Sequence, residues 1–161
     1  MEKPKAYIET TVPNFYFDFK NQSPEKKVET VFFWDKRLSG FDARTSFAMI
    51  LELEATPDAA WRAKLLELAK PLPLLEVTQE IISLAEKYVE GGLIPRGYSA
   101  DAVHLAVSTI HAVEYLVTWN IQHLVHPFKR KALREYNASH GLFVPEIVTP
   151  QELNYQLNNH S

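Results

Sequence analysis

Four polar residues sit at the ends of apolar runs or inside them. Glu9 follows "AYI", Glu52 lies within "MILELEA", Asp101 falls in the first turn of "SADAVHLAVSTIHA", and Asn120 follows "YLVTW". In an open α/β sheet, ligands bind outside the carboxyl ends of the strands. Three acids and an amide brought there from separate segments make the oxygen donor set of a hard divalent cation, magnesium or manganese. Glu9 carries the most weight, because an acid beside "AYI" in a central strand must lie at an open end or be paired. Weaker candidates surround these four. Thr10 and Thr118 can hold a metal-bound water or a phosphate, Arg96 can meet a phosphate, and His123, close to Asn120 in sequence, can face the same cleft.

Each of these residues also has an ordinary structural role. An acid such as Asp101 in the first turn of a helix gains about 0.3–1 kcal/mol from the helix dipole. Glu52 and Glu54 fit a solvated helix face, and Asn120 fits the start of a turn. Thr10 and Thr118 fit turn caps, Arg96 a surface position, and His104 a packed helix position. The joint placement, more than any single residue, argues for a site. His104, His111 and His123 share no zinc-ligand spacing with nearby acids. The chain has no P-loop, no Gly-rich phosphate loop and no Ser-His-Asp order.

The elements that must position these residues alternate along the chain. "AYIET" reads as a strand, followed by a turn at Pro13. "SPEKKVETVFFWDKRL" reads as one helix, capped by Ser23 with Pro24 in its first turn. "FDAR" is a short strand, and "TSFAMILELEA" a helix capped by Thr45 or Ser46. "TPDAAWRAKLLELAK" is a second helix with a cap–Pro–acid start. "LPLLEV" is a strand. Thr78 caps the helix "QEIISLAEKYVE", which Gly91 and Gly92 stop. After the loop "LIPRGY", Ser99 caps a central apolar helix, and "EYLVTW" is a strong strand. "PFKRKALREYNASH" is a helix ended by Gly141. "LFVPEIVT" is a last strand in which Pro145 suits a sheet edge. The pattern predicts an α/β domain with a mainly parallel sheet of about five strands and helices on both sides. Residues 1–150 form a single domain, and residues 151–161 form a short C-terminal helix with a fraying tail, "NNHS".

Composition narrows the function. The chain has 161 residues, 46% hydrophobic and 12% aromatic, enough for one domain with a substantial core. It has no cysteine, which removes disulfides and thiolate zinc sites. A formal charge of −3 argues against a broad basic nucleic-acid face. One basic cluster, Lys129, Arg130, Lys131 and Arg134, reads as a solvated helix face or a local phosphate contact. No apolar run reaches membrane-span length and the first residues lack a signal-peptide core, so a soluble cytoplasmic protein with no membrane contact is expected. Val31, Phe32, Phe33 and Trp34 in succession cover more of a helix than one core-facing stripe needs, so this helix is either packed on two sides or a docking surface for a second copy of the chain.

The order "YIETTVPNFY", "ILELEATPD", "SADAVHLAVSTIHAVEYLVTWNIQHL" resembles the PIN-domain family, in its VapC-like toxin branch, over about Lys5 to Thr149. The resemblance implies a three-layer α/β/α sandwich and a ribonuclease dependent on Mg2+ or Mn2+. It assigns Glu9, Glu52 and Asp101 to the metal-binding acids and Asn120 to a fourth position. Glu9 and Asn120 stand where most members have aspartate. The resemblance further implies an RNA substrate, an antitoxin partner and a homodimer. The two departures leave open a second reading, a PIN-fold module that docks a protein and cleaves poorly or not at all.

Overall fold

A computed structural model describes residues 2–159, and for Asn159 its backbone only. Its five strands are β1 (Lys5–Ile8), β2 (Asp42–Ser46), β3 (Leu74–Leu75), β4 (Tyr115–Val117) and β5 (Glu146–Val148). They form one sheet in the order β3-β2-β1-β4-β5. Every pairing is parallel. Pro145, just before β5, meets an edge strand as expected.

Among the described residues, eight α-helices flank the sheet: α1 (Thr11–Phe17), α2 (Pro24–Phe32), α3 (Phe47–Glu54), α4 (Ala59–Ala69), α5 (Gln79–Glu90), α6 (Ser99–Ile110), α7 (Pro127–Ser139) and α8 (Pro150–Asn159). They bury two cores. Tyr7, Leu116 and Ile147 face one core with Tyr88 of α5 and Leu105 of α6. Ala6, Ile8 and Val117 face the other with Met49 of α3, Leu65 of α4 and Leu153 of α8. Side chains alternate across a strand, so Tyr7 points toward α6 while its neighbours in β1 point the opposite way. Among the described residues no helix is long and apolar enough to cross a membrane.

Several local expectations need correction. Pro13 makes no turn. It lies in the first turn of α1, where a missing N–H costs nothing, and α1 follows β1 almost at once. The helix expected over 23–38 ends as an α-helix at Phe32, continues as a π-helical turn over Phe33–Arg37, and tightens to a 3-10 turn over Leu38–Gly40. Phe33 is fully buried there. Ser99 is the first residue of α6 rather than its cap, and Tyr98 precedes it with no side-chain capping bond. Asp58, not Thr56, caps α4, accepting from the N–H of Ala60 and Trp61. Ser23 and Thr78 cap as expected, accepting from Lys26 and Ile81. Of the two glycines after α5, Gly92 takes the left-handed conformation at φ +76°. α8 carries the expected final helix through Asn159, and the end of the tail, His160 and Ser161, lies outside the described residues.

Candidate metal centre

Strand order reverses direction between β1 and β4, so the crevice at their carboxyl ends is the switch point of the sheet. Glu9 directly follows β1, and Thr118 and Asn120 follow β4. β2 leads into α3, which carries Glu52, and the first turn of α6 brings Asp101.

Glu9 is buried, and the hydrogen bonds that described residues make to its carboxylate all go to one oxygen. Oε1 accepts from the Thr11 N–H at 2.9 Å, the Thr11 hydroxyl at 2.5 Å and the Thr118 hydroxyl at 2.7 Å. The two hydroxyls are themselves held by backbone: Thr11 Oγ1 accepts from the Trp119 N–H and Thr118 Oγ1 from the Asn120 N–H. The ends of β1 and β4 are thus clasped around one carboxylate oxygen. No described residue bonds to Oε2. Burial pushes the Glu9 carboxyl above its ordinary value, against the charge of His104 and the three donated hydrogen bonds.

Glu52 is half-buried. Its Oε1 accepts from the Thr10 hydroxyl at 2.6 Å and lies 2.5 Å from His104 Nε2, leaving Oε2 without a bond to a described residue. Burial opposes its charge, but the hydrogen bond and charge of His104, with Thr10, outweigh it and hold the carboxyl below its ordinary value. Glu54, two residues on, is exposed, so the register that selects Glu52 is the one that faces inward.

Asp101 is buried, and burial raises its carboxyl above the ordinary value. Asn120, His104 and His123 favour its charged form and Glu52 opposes it. Asn120 serves two neighbours: its Oδ1 accepts from the His123 N–H at 3.1 Å, capping the π-helical turn Ile121–Val125, and its side chain favours the charged form of Asp101. The turn-forming role open to Asn120 from sequence is therefore real and coexists with its place beside the acids.

The residue that sequence reasoning undervalued is His104. It is a packed helix residue as expected, fully buried, but it packs against the acids. Its Nδ1 lies 2.6 Å from Tyr7 Oη, which is 2.7 Å from Ser46 Oγ, and its Nε2 meets Glu52. Burial disfavours the imidazolium, but the hydrogen bond to Glu52 and the charges of Glu9, Glu52 and Asp101 outweigh burial and raise the ring above its ordinary value. One ligand atom from each of Glu9, Glu52 and His104 lies within 4.8 Å of the other two. The usable signal was spacing: His104 lies three residues after Asp101, on the same face of α6.

The remaining candidates divide. Thr10 and Thr118 are buried and donate to Glu52 and Glu9, so both orient acids. Arg96 is exposed in the loop before α6. His123 is buried, and its two ring nitrogens have no hydrogen-bond partner among the described residues. Its ring packs on Tyr98 at 4.2 Å between centroids. The basic cluster is half structural: Lys129 donates to the Leu93 carbonyl, and Arg130 donates to the Val125 and Ile147 carbonyls and pairs with Glu152 of α8. Lys131 and Arg134 are exposed.

These donors fit a divalent cation. Two carboxylates with an unbonded oxygen each, a third buried acid and, beside it, a His123 ring with no hydrogen-bond partner among the described residues gather polar atoms that the described protein groups leave partly unmet.

The sequence matches no protein-family profile and no curated protein. Solved structures do match. A chain of VapBC2 from Rickettsia felis, crystallised bound to a DNA fragment from its promoter, aligns with TM-score 0.55 and 13% identity over 89% of this chain and 97% of that one. A chain of FitAcB from Neisseria gonorrhoeae aligns with TM-score 0.52 and 14% identity over 90% of this chain and 97% of that one. At such identities the likeness establishes the fold, a PIN-like three-layer α/β/α sandwich.

Proposed function

We propose that the chain is a metal-dependent endoribonuclease, the toxin of a toxin–antitoxin pair. The observation that carries this reading is the convergence of Glu9, Glu52 and Asp101, from three separate segments, on the carboxyl end of the sheet at its switch point. Glu9, Glu52 and Asp101 would hold Mg2+ or Mn2+, with Asn120 at the margin. Such an ion polarises a phosphodiester and lowers the pKa of a bound water. The chain's own part is positioning. Thr11 and Thr118 fix the Glu9 carboxylate, and Thr10 and His104 fix that of Glu52. Asn120 steadies the charged form of Asp101. Arg96, in the loop before α6, and Lys131 and Arg134 of α7 are exposed cations that an RNA backbone could meet.

The likeness to chains of VapBC2 and FitAcB supports an antitoxin as protein partner, and the apolar face of α2 suits a second copy of the chain. One observation favours the alternative, a docking module with little cleavage: Glu52 already has a close partner in His104 Nε2, and Asn120 spends its carbonyl on a turn. Incubating structured RNAs with the purified protein and Mg2+ or Mn2+ separates the two. Cleavage that a chelator stops and Asp101→Asn abolishes supports the nuclease, and intact RNA with every metal supports the docking module.

A further inference from the structure

Resting on the metal-dependent reading above, we propose that His104 is itself a ligand, through Nε2, of the ion held by Glu9 and Glu52. The site is then a mixed nitrogen–oxygen centre that takes a divalent first-row transition ion in preference to magnesium.

Three observations carry this. The first is proximity. Ligand atoms of Glu9, Glu52 and His104 lie within 4.8 Å of one another. Ligands on opposite sides of a small divalent ion, each at about 2.1 Å, stand about 4.2 Å apart. Ligands at a right or tetrahedral angle stand closer, about 3.0–3.4 Å apart, so side-chain shifts of about 1–2 Å let all three share one ion.

The second is orientation. A metal-binding imidazole nearly always has its other nitrogen held by an outer partner that fixes the ring. His104 has one: Tyr7 Oη at 2.6 Å from Nδ1, itself anchored 2.7 Å from Ser46 Oγ. With Nδ1 committed on the buried side, Nε2 is the nitrogen that faces the carboxylates, 2.5 Å from Glu52 Oε1 and 3.5 Å from Thr10 Oγ1.

The third is the division of labour on the two acids. In each, the hydrogen bonds of the protein go to Oε1, and Oε2 has no partner among the described residues. Each carboxylate is thus oriented by one oxygen and open at the other. Imidazole nitrogen is a ligand of transition ions, whereas magnesium favours oxygen and gives up its waters reluctantly. A buried imidazole in the donor set therefore changes which ion is preferred. In the metal-free protein the same nitrogen bonds to Glu52, so ion binding exchanges that bond for two bonds to the ion and releases any proton on Nε2.

The test uses the full chain with Mn2+ alone as probe. Pulsed electron paramagnetic resonance of the bound ion is recorded with natural-abundance and 15N-histidine protein, for wild type, His104→Gln and His123→Gln. The expected result is a nitrogen coupling that changes on 15N-histidine labelling, persists in His123→Gln and disappears in His104→Gln. Calorimetry should give a fall in Mn2+ affinity of roughly tenfold or more in His104→Gln, with Mg2+ affinity changed less than about threefold. Mn2+ bound without histidine coupling, or coupling lost in His123→Gln and kept in His104→Gln, overturns the assignment of His104 and leaves the carboxylate site standing. No Mn2+ binding by wild type overturns the metal-dependent reading itself. If His104→Gln does not fold, the labelled wild-type spectrum and the His123→Gln spectrum still decide.

Discussion

His104 Nε2 stands 2.5 Å from Glu52 Oε1, joining α6 to α3 across the carboxyl end of the sheet. The imidazole is fully buried while the carboxylate keeps about a third of its side-chain surface exposed. Taking charge out of water is costly, and removing one partner of such a pair leaves the other uncompensated. The pair makes sense as part of a larger cluster in which Glu9 and Asp101 also favour a positive group at the centre.

Tyr7→Phe should loosen the centre without refolding it. The phenol is the only partner of His104 Nδ1 among the described residues, and it links the ring to Ser46. Leaving a buried polar atom unsatisfied costs about 1–3 kcal/mol. Loss of an outer partner of a metal-binding histidine lowers metal affinity about 10–100-fold. Urea unfolding and Mn2+ calorimetry measure the two effects. Unchanged Mn2+ affinity would show that the ring needs no support from Tyr7.

The metal-free protein should lose stability as pH rises from the ordinary histidine pKa, about 6.5, through the raised pKa of the folded His104 ring. His104 binds its proton more tightly folded than unfolded, so its contribution is complete below its unfolded pKa and disappears as pH rises through the folded one. Glu9 and Asp101, also raised, act in the same direction. Glu52 is lowered, so its contribution is lost only when pH falls into the acid range. Burial keeps the Tyr7 phenol neutral throughout. Denaturant midpoints in chelator should fall across this interval, and by less in His104→Gln. A flat profile in wild type contradicts the coupling.

Asn120→Asp should raise Mn2+ affinity. Asn120 already lies beside Asp101, and a carboxylate there adds a negative charge close to the ion. The aspartate can still accept from the His123 N–H, so the turn survives. Calorimetry showing equal or weaker Mn2+ binding would place this side chain outside the ion's reach.

Self-association through α2 is tested with Val28→Glu and Phe32→Glu. These residues are exposed one turn apart on α2, whereas Phe33 is fully buried in the core. Light scattering should find a wild-type dimer that either substitution weakens. Phe33→Glu should instead unfold the chain, losing more than the about 3–5 kcal/mol that truncating a buried phenylalanine costs. A monomeric wild type contradicts the dimer.

The positions of Glu9 and Asn120 were legible because each follows a strand, and a parallel sheet puts strand ends on one edge; Glu52 and Asp101, carried by helices, were placed by resemblance and by a helix's first turn. What fixes them was not legible. Thr118 holds Glu9 from 109 positions away, and no local pattern announces such a contact. α1 was hidden by Pro13, which serves a helix's first turn as readily as a bend. The change from α- to π-helical winding at Phe33 leaves the apolar residues in an unbroken run, so the four large residues gave no sign of which one faces inward. His104 looked like any residue of an apolar helix until Tyr7, alternating to the α6 side of β1, met its ring.

As a nuclease, the chain would cleave RNA with the help of an ion held by Glu9, Glu52 and Asp101. The most direct test is cleavage of a panel of structured RNAs by the purified protein with Mn2+, beside Asp101→Asn, a nearly isosteric change that should leave the fold intact and ease like-charge repulsion in the empty site. Wild type should cleave, a chelator should stop it, and the Asp101→Asn protein should fold and cleave nothing. Full cleavage by Asp101→Asn, or cleavage by wild type that survives removal of all divalent ions, would contradict this role of the ion.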